Sequence, residues 1–284
     1  MIELNDVSKK IGVFKLENIS LEIPEGYICG LVGKNGSGKT TLLHLILGLY
    51  SQDKGIVMVD NMVYPDDEKS IHDNMGTVLV EELLDGSLSL MDNGERYGRS
   101  YSKFDKEKYK AFLKNFNIDL KSKFACLSKG EKLKGQFAFA LSCNPKYLIL
   151  DEPTANFDPE FRKVFLKLIQ DFVADEKHSV ILATHITDDL DRLADYLIYL
   201  EGGKLIYQGD IESFRKEYRI LSGEKYKIKL LQTEDLICID EGAYGAKALV
   251  KHHHYNDYDA SLMVTVPSIE EFMYFYSKRE GGRK

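Results

Sequence analysis

A glycine-rich segment constrains the fold of this chain more than any other feature. Residues 33–40 read GKNGSGKT and match G-x-x-x-x-G-K-[ST], between the apolar run 27–32 and the helical pattern 41–49. Glycines let the backbone turn so that successive N–H groups face a phosphate, and the N-terminus of a helix adds partial positive charge there. The segment therefore predicts a nucleotide phosphate site between a strand and a helix.

Two side chains of this segment and the threonine that follows it have predicted roles of their own. Lys39 would neutralise the β- and γ-phosphates, Thr40 would direct its hydroxyl at Mg²⁺, and Thr41 would be a further phosphate contact. The rest of the loop is predicted to bind the nucleotide mainly through the backbone; its members are Gly33, Lys34, Asn35, Gly36, Ser37 and Gly38.

A second acidic pair completes the predicted site. The apolar run 147–150 has the character of a buried strand and is followed directly by Asp151 and Glu152. Ligands of open α/β sheets bind at the carboxyl ends of strands. We assign Asp151 to the metal and Glu152 to the general base that takes a proton from the attacking water.

The order of elements predicts an α/β fold with two appended parts. Short apolar runs alternate with helical patterns through about residue 200, which is typical of βαβ units around a largely parallel sheet. We expect a main domain over 1–210, which includes an inserted helical subdomain over about 82–144, and a small α/β accessory domain over 211–284. The finer predictions are an amphipathic helix over 104–115, a hairpin over 196–207, a strand over 225–231 and a helix over 268–277.

Composition excludes several classes of protein. With 38 Lys and Arg against 45 Asp and Glu, the net charge of −7 argues against nucleic-acid binding. The apolar runs are shorter than the roughly 20 residues of a membrane span, and the first residues lack a signal-peptide pattern, so we expect a cytoplasmic protein. We predict reduced core thiols for the four cysteines, Cys29, Cys126, Cys143 and Cys238. The His-rich residues 251–254 are predicted to form an exposed loop or the end of a strand.

Further segments resemble the ABC ATPases. Residues 127–131 read LSKGE and resemble the LSGGQ signature of that family, although Lys129 and Glu131 depart from it. Residues 155–158, ANFD, are similar to the family's D-loop, and His185 follows the next apolar run where the family keeps a histidine. The chain is thereby identified as similar to one complete P-loop nucleotide-binding domain.

The resemblance implies how the site is completed. Two such domains pack head to tail around ATP and Mg²⁺, as a homodimer or a heterodimer. Ser128 and Gly130 of one chain would then contact the γ-phosphate bound to the other, with Asp158 also at the nucleotide. By the same resemblance, His185 would contact the γ-phosphate and act together with Glu152 and Lys39 in hydrolysis.

Two positions depart from the family pattern. Where the family has the Q-loop glutamine, the run 75–80 is followed by Glu81, which either takes the metal contact or belongs to an exposed acidic loop. The aromatic residue that stacks on adenine is also displaced. Ile11 stands in its place, and we assign the adenine contact to Phe14, the nearest aromatic residue.

The resemblance leaves two functions open. The favoured one is the ATPase subunit of a transporter, with a separate transmembrane permease docking on the helical subdomain and holding the protein at the cytoplasmic face of the membrane. The segments LSKGEK, ATHITDDLDRLADY and GGKLIYQGD resemble bacterial exporters. The alternative is a soluble ATP-gated switch that acts on a ribosome, DNA or a regulator. The single cassette, the missing long coiled coil and the acidic charge disfavour it.

Overall fold

The computed structural model describes residues 1–81, 83–231, 235–251, 259 and 261–281. The strands are β1 (Ile2–Ile11), β2 (Phe14–Ile23), β3 (Ile28–Val32), β4 (Lys54–Val59), β5 (Met62–Val63), β6 (Met75–Val78), β7 (Tyr147–Asp151), β8 (Ser179–Ala183), β9 (Tyr196–Glu201), β10 (Lys204–Asp210), β11 (Tyr218–Gly223), β12 (Leu236–Glu241), β13 (Ala246–Lys251) and β14 (Met263–Thr265). The helices are α1 (Lys39–Ile46), α2 (Glu68–Asp73), α3 (Leu90–Gly98), α4 (Lys106–Asn115), α5 (Lys129–Ser142), α6 (Pro159–Val173), α7 (Thr187–Leu193), α8 (Ile211–Glu217), α9 (Lys225–Lys229) and α10 (Ile269–Gly281).

The central sheet has the strand order β10-β9-β3-β8-β7-β6. Its strands run parallel except β10, which pairs antiparallel with β9 at the edge and confirms the predicted hairpin. Strands β3, β7 and β8 are buried along their whole length, which is why their sequences show no polar alternation. The carboxyl ends of these three strands meet at one edge, and the predicted α/β class is confirmed.

A second, antiparallel sheet, β2-β1-β4-β5, covers α1. Along β2, Leu16, Ile19 and Leu21 are buried and the residues between them are not, with the alternation interrupted at Asn18, which has φ +48°. These residues share one core with α1 and one face of the central sheet. The β1–β2 turn brings Ile11 and Phe14 beside the loop that precedes α1.

Helices α3, α4 and α5 pack against one another. The amphipathic segment is helical from Lys106, after Asp105 caps the helix by accepting a bond from the backbone N–H of Lys108 at 2.9 Å. The hydroxyl of Tyr109, on α4, donates to the carbonyl of Leu90 on α3 at 3.1 Å. A Cβ at Gly98 of α3 would collide with the ring of Phe104, so glycine permits this close approach.

The third sheet, β12-β13-β11-β14, follows β10 and α8. The predicted strand over 225–231 is wrong, because that segment forms α9. Its alternating apolar residues do not share a buried face. Ile228 packs into the sheet core, whereas Tyr226 and Leu230 are exposed. The alternation of apolar and polar residues in this segment therefore does not mark a half-buried strand, because only Ile228 is buried. The predicted terminal helix is confirmed as α10, which buries Phe272 and Phe275.

Several smaller predictions have mixed outcomes. All four cysteines are free thiols, but only Cys29 and Cys143 are buried; the prediction of a core position is wrong for Cys126, which is exposed beside the 3₁₀ turn at 124–126. No helix within the described ranges is long and apolar enough to cross a bilayer. Glu82 and the histidines at 252–254 lie outside the described residues.

Candidate functional site

The loop between β3 and α1 surrounds a cavity of about 400 Å³. The cavity is lined by Ile11, Phe14, Lys34, Asn35, Gly36, Ser37, Gly38, Lys39, Thr40, Thr41, Val80, Asp151 and Glu152. Gly38 has φ +110°, in the left-handed region, and a Cβ there would lie 2.9 Å from Cζ of Phe14. The cavity is therefore lined by the predicted loop from Lys34 onward, by both predicted acids and by Phe14.

Lys39 is held inside the loop. Its side chain is 7% exposed, and its Nζ donates to the carbonyl of Gly33 at 2.8 Å and lies 3.9 Å from Oε1 of Glu152. Burial lowers the pKa of Lys39, while the charges of Glu152 and Asp151 oppose that shift. Gly33 does not line the cavity; its carbonyl orients the lysine that does.

Asp151 joins the end of β7 to the start of α1. The hydroxyl of Thr40 donates to its Oδ2 at 2.8 Å, while its Oδ1 is buried and has no hydrogen-bond partner within the described part of the chain. Burial raises the pKa of Asp151, and the negative charges of Glu152 and Glu81 add to the increase. A buried carboxylate oxygen without a partner, beside a hydroxyl, is a donor set that suits a divalent cation.

The number of protein ligands available for a metal is small. Among the described residues, no three His, Cys, Asp or Glu side chains are grouped closely enough to hold an ion. Mg²⁺ is commonly bound by one or two protein groups together with substrate phosphates and water. The pair of Thr40 and Asp151 beside a phosphate loop fits that mode.

Glu152 and His185 form a second pair at the same edge. Glu152 has φ +48°, and its Oε2 accepts from the backbone N–H of His185 at 3.2 Å and lies 2.6 Å from Nδ1 of that residue. His185 follows β8, the strand beside β7, so the parallel register brings the two residues together. The structure thus groups Lys39, Asp151, Glu152 and His185.

The signature and D-loop residues lie elsewhere. Ser128 caps α5, with its hydroxyl 3.3 Å from the backbone N–H of Glu131 and 2.7 Å from Oε2 of the same residue. A Cβ at Gly130 would lie 2.8 Å from the carbonyl oxygen of Asn156. Asp158 caps α6. Within the described chain, the predicted contacts Ser128, Gly130 and Asp158 do not line the phosphate cavity.

Two predictions concern residues near the edge of the cavity. The side chain of Glu81 is 56% exposed and acts on Asp151 through its charge, but Val80 rather than Glu81 lines the cavity. Sequence reasoning missed His44 and Gln136, buried residues on either side of Glu81. A signal existed for His44, which follows Thr40 by four residues and therefore lies on the same face of α1.

Comparison with known proteins shows the family of the chain. The family model described as ABC transporter matches residues 16–155. The methionine import ATP-binding protein MetN of Clostridium tetani is 31% identical over 247 residues, which cover 84% of this chain and 76% of the relative. The ABC transporter ATP-binding protein YtrB of Bacillus subtilis is 31% identical over 219 residues, covering 77% and 75%.

A solved structure shares the fold over the same region. The dimeric structure of a post-hydrolysis state of the ATP-binding cassette MJ0796, bound to ADP and Pi, aligns with TM-score 0.67 and 25% identity, covering 74% of this chain and 99% of that one. The relatives, the family model and the fold agree. The chain therefore belongs to the ABC transporter family and is one of its ATP-binding, ATP-hydrolysing subunits.

Proposed function

We propose that this subunit drives transport through a separate membrane chain, and that it hydrolyses ATP with the residues grouped at the phosphate cavity. The observation that carries the residue roles is the convergence of Lys39, Thr40, Asp151, Glu152 and His185 at one edge of the central sheet. A test is the phosphate release rate of the purified chain, which should fall severely when any of these side chains is removed.

The chemistry follows from the position of each group. The N–H groups of the loop and Nζ of Lys39 bind the phosphates, and the carboxylate of Glu152 takes a proton as a water oxygen attacks the γ-phosphorus and the bond to ADP breaks. His185 keeps Glu152 oriented through its backbone N–H and Nδ1. Thr40 and Asp151 would hold Mg²⁺, which when bound neutralises phosphate charge.

The same proposal includes a head-to-tail dimer. Ser128, Gly130 and Asp158 lie apart from the phosphate cavity of their own chain, so they would reach a nucleotide only on a second ATPase subunit. The dimer described for MJ0796 supports such an assembly. Gel filtration with and without ATP tests it, because a sandwiched nucleotide should shift the chain to a dimer. A homodimer is expected from the chain alone, and a heterodimer would require a second ATPase chain.

A groove supports the proposal of a permease partner. A cavity of about 310 Å³ lies between α5 and β6, with mainly apolar walls, and Leu49 and Leu83 at its rim are exposed. We propose that cytoplasmic helices of the permease dock there and hold the subunit at the membrane. Purification from membranes should recover a membrane protein with the chain, and a Leu83→Asp variant should lose it. Stimulation by nucleic acid, with no membrane partner recovered, would favour the soluble switch instead.

The direction of transport and the domain boundary are also proposals. We propose export, on the resemblance of residues 127–132 and 183–196 to exporter cassettes, although MetN is named for import. Transport measured in membrane vesicles with the cognate permease tests the direction.

We further propose a domain boundary near residue 210, where β10 ends and the segment leading to the third sheet begins. Because α8 follows β10 directly and packs on the main core, a chain that ends at residue 210 should expose that core and lose stability, which urea unfolding measures.

A further inference from the structure

A buried histidine on α1 has an unused hydrogen-bonding atom. His44 is 9% exposed, and its Nε2 has no hydrogen-bond partner within the described ranges. Oε1 of Glu81 lies 3.9 Å from that atom. Tyr50 packs edge-on against the imidazole, with ring centroids 4.9 Å apart at 81°, and so restrains its orientation. The imidazole is thus fixed beside the carboxylate of Glu81.

A buried glutamine approaches the same residue from another helix. Gln136 of α5 donates from Nε2 to the carbonyl oxygen of Glu81 at 3.5 Å, the long limit of a hydrogen bond. Its Oε1 is buried and lacks a partner in the described chain. Glu81 therefore lies between two helices: Gln136 of α5 holds its backbone carbonyl, and His44 of α1 presents a buried Nε2 that can donate to its carboxylate.

Unsatisfied buried polar atoms indicate that a better arrangement exists nearby. Leaving such atoms unpaired is costly, so a small movement that pairs them is favoured. A shift of about 1 Å would bring Glu81 from 3.9 Å to hydrogen-bonding distance of His44. The carboxylate of Glu81 is largely exposed and can make this movement, and its charge already acts on Asp151.

We infer that His44 is a positioning residue for Glu81. Its Nε2–H donates to the carboxylate of Glu81, while Gln136 holds the backbone carbonyl of Glu81, and the two contacts direct that carboxylate toward the cation held by Thr40 and Asp151. The inference rests on the proposed magnesium role of Asp151 and adds a residue to which nothing else assigns a role. It requires only a hydrogen on Nε2 and not a charged imidazole.

The test measures how strongly metal is coupled to nucleotide. The dissociation constant of a fluorescent, non-hydrolysable ATP analogue is measured for the full chain with Mg²⁺ and with EDTA. The ratio of the two constants gives the metal contribution. In His44→Leu and in Glu81→Ala, which removes the carboxylate, this ratio should fall roughly 10-fold, as expected when a metal ligand or its outer partner is lost. The constant in EDTA should stay unchanged.

Three further variants separate positioning from general damage. His44→Gln keeps an N–H donor and should recover most of the ratio, and the double variant of His44→Leu with Glu81→Ala should be no weaker than either single one. His178→Leu, which removes a surface histidine paired with Asp175, is the control and should not change the ratio. If His44→Leu does not fold, the same ratio is measured for Gln136→Leu, which removes the contact from α5 to the backbone of Glu81.

The outcomes distinguish the inference from the proposed function. A wild-type chain whose analogue binding does not depend on Mg²⁺ would overturn the metal proposal and this inference together. A wild-type ratio in His44→Leu, with a reduced ratio in Glu81→Ala, would overturn the role of His44 alone. Additive losses in the double variant would also overturn it, because independent residues do not share one function.

Discussion

At the scale of single residues, Asp151 is an acidic side chain that is almost fully buried. One of its oxygens accepts from Thr40, and the other is buried without a partner within the described residues. Burial raises its pKa, so ionising it in the folded chain costs more than in the unfolded chain. The nucleotide-free fold therefore carries a cost at neutral pH that a bound cation would offset.

Removing that charge should stabilise the chain and disable it. Asp151→Asn should increase the free energy of unfolding at pH 7 by about 1 kcal/mol, because the asparagine carries no charge to desolvate. A carboxyl with a raised pKa stabilises the fold at low pH and loses that contribution as pH rises, so the advantage of Asn should shrink as pH falls through the raised pKa. Urea unfolding between pH 4 and 8 measures this. An Asn variant less stable than wild type at pH 7 would contradict it.

The assignment of Glu152 as general base has a direct test. Glu152→Gln keeps the size of the side chain and an oxygen that can accept from the backbone N–H of His185, but it cannot take a proton from water. Phosphate release should slow by at least about 100-fold while ATP still binds, and ATP should trap a dimer on gel filtration. Glu160→Gln, at an exposed position on α6, is the matched control. Normal turnover in the first variant would remove Glu152 from this role.

Lys39 is buried with its charge directed at the cavity. Lys39→Ala should weaken ATP binding by roughly 10-fold or more, because the phosphates lose a cation whose hydrogen bonds are charge-assisted. Calorimetric titration measures the loss. Lys34→Ala also changes the loop, so the better control is Lys177→Ala, at an exposed position just before β8 and at the end of that strand remote from His185. Equal affinity in Lys39→Ala and the control would contradict the assignment.

At the scale of elements, the start of α5 combines a structural and a proposed binding role in one residue. Ser128 caps this helix, and Ser89 caps α3 in the same manner, with its hydroxyl bonded to Asp92. Ser128→Arg and Ser89→Arg should each cost about 1 kcal/mol of stability through the lost cap. Only Ser128→Arg should also prevent the ATP-dependent dimer. A dimer that forms normally would contradict the trans contact.

The sequence predicted an element correctly where a local pattern of residues was enough to determine its structure. The loop before α1, the acids that end β7 and the hairpin of β9 and β10 each carry their own signal, either glycines at fixed spacing or an apolar run with a polar end. The segment of α9 did not, because the tertiary contact of Ile228 overrides its alternating pattern. Helix α4 begins two residues later than predicted, because Asp105 caps it.

Contacts between distant elements could not be predicted. The bond between Thr40 and Asp151 and the pair of Glu152 with His185 follow from the strand order, which a single sequence does not state. The approach of His44 to Glu81 depends further on how far the loop after β6 extends over α1. Sequence therefore identified the types of residue in the site, and the sheet determines which of them meet.

At the scale of the whole molecule, the last helix is part of the main core. Phe272 of α10 is fully buried against Tyr199 of β9, Phe214 of α8 and Tyr218 of β11. These rings belong to the same continuous core as the central sheet and α5. The third sheet is thereby tied to the strands that carry the site, and we expect the chain to unfold in one cooperative step.

Truncating that ring tests the shared core. Phe272→Ala should lower the free energy of unfolding by about 3–5 kcal/mol and shift a single calorimetric transition as a whole. Tyr274→Ala, at an exposed position on the same helix, is the control and should cost much less. Two separated transitions, of which only one moves, would show that the C-terminal segment unfolds independently.

The left-handed backbone of Glu152 has a consequence for engineering. A residue with a Cβ pays about 1–2 kcal/mol for that conformation, and glycine or asparagine adopts it more readily. Thermostabilisation guided by backbone preference alone would therefore select replacements for Glu152 and discard the group proposed to activate water. Screens for a more durable variant of this subunit should hold position 152 fixed, since at that position resistance to heat and turnover are opposing goals.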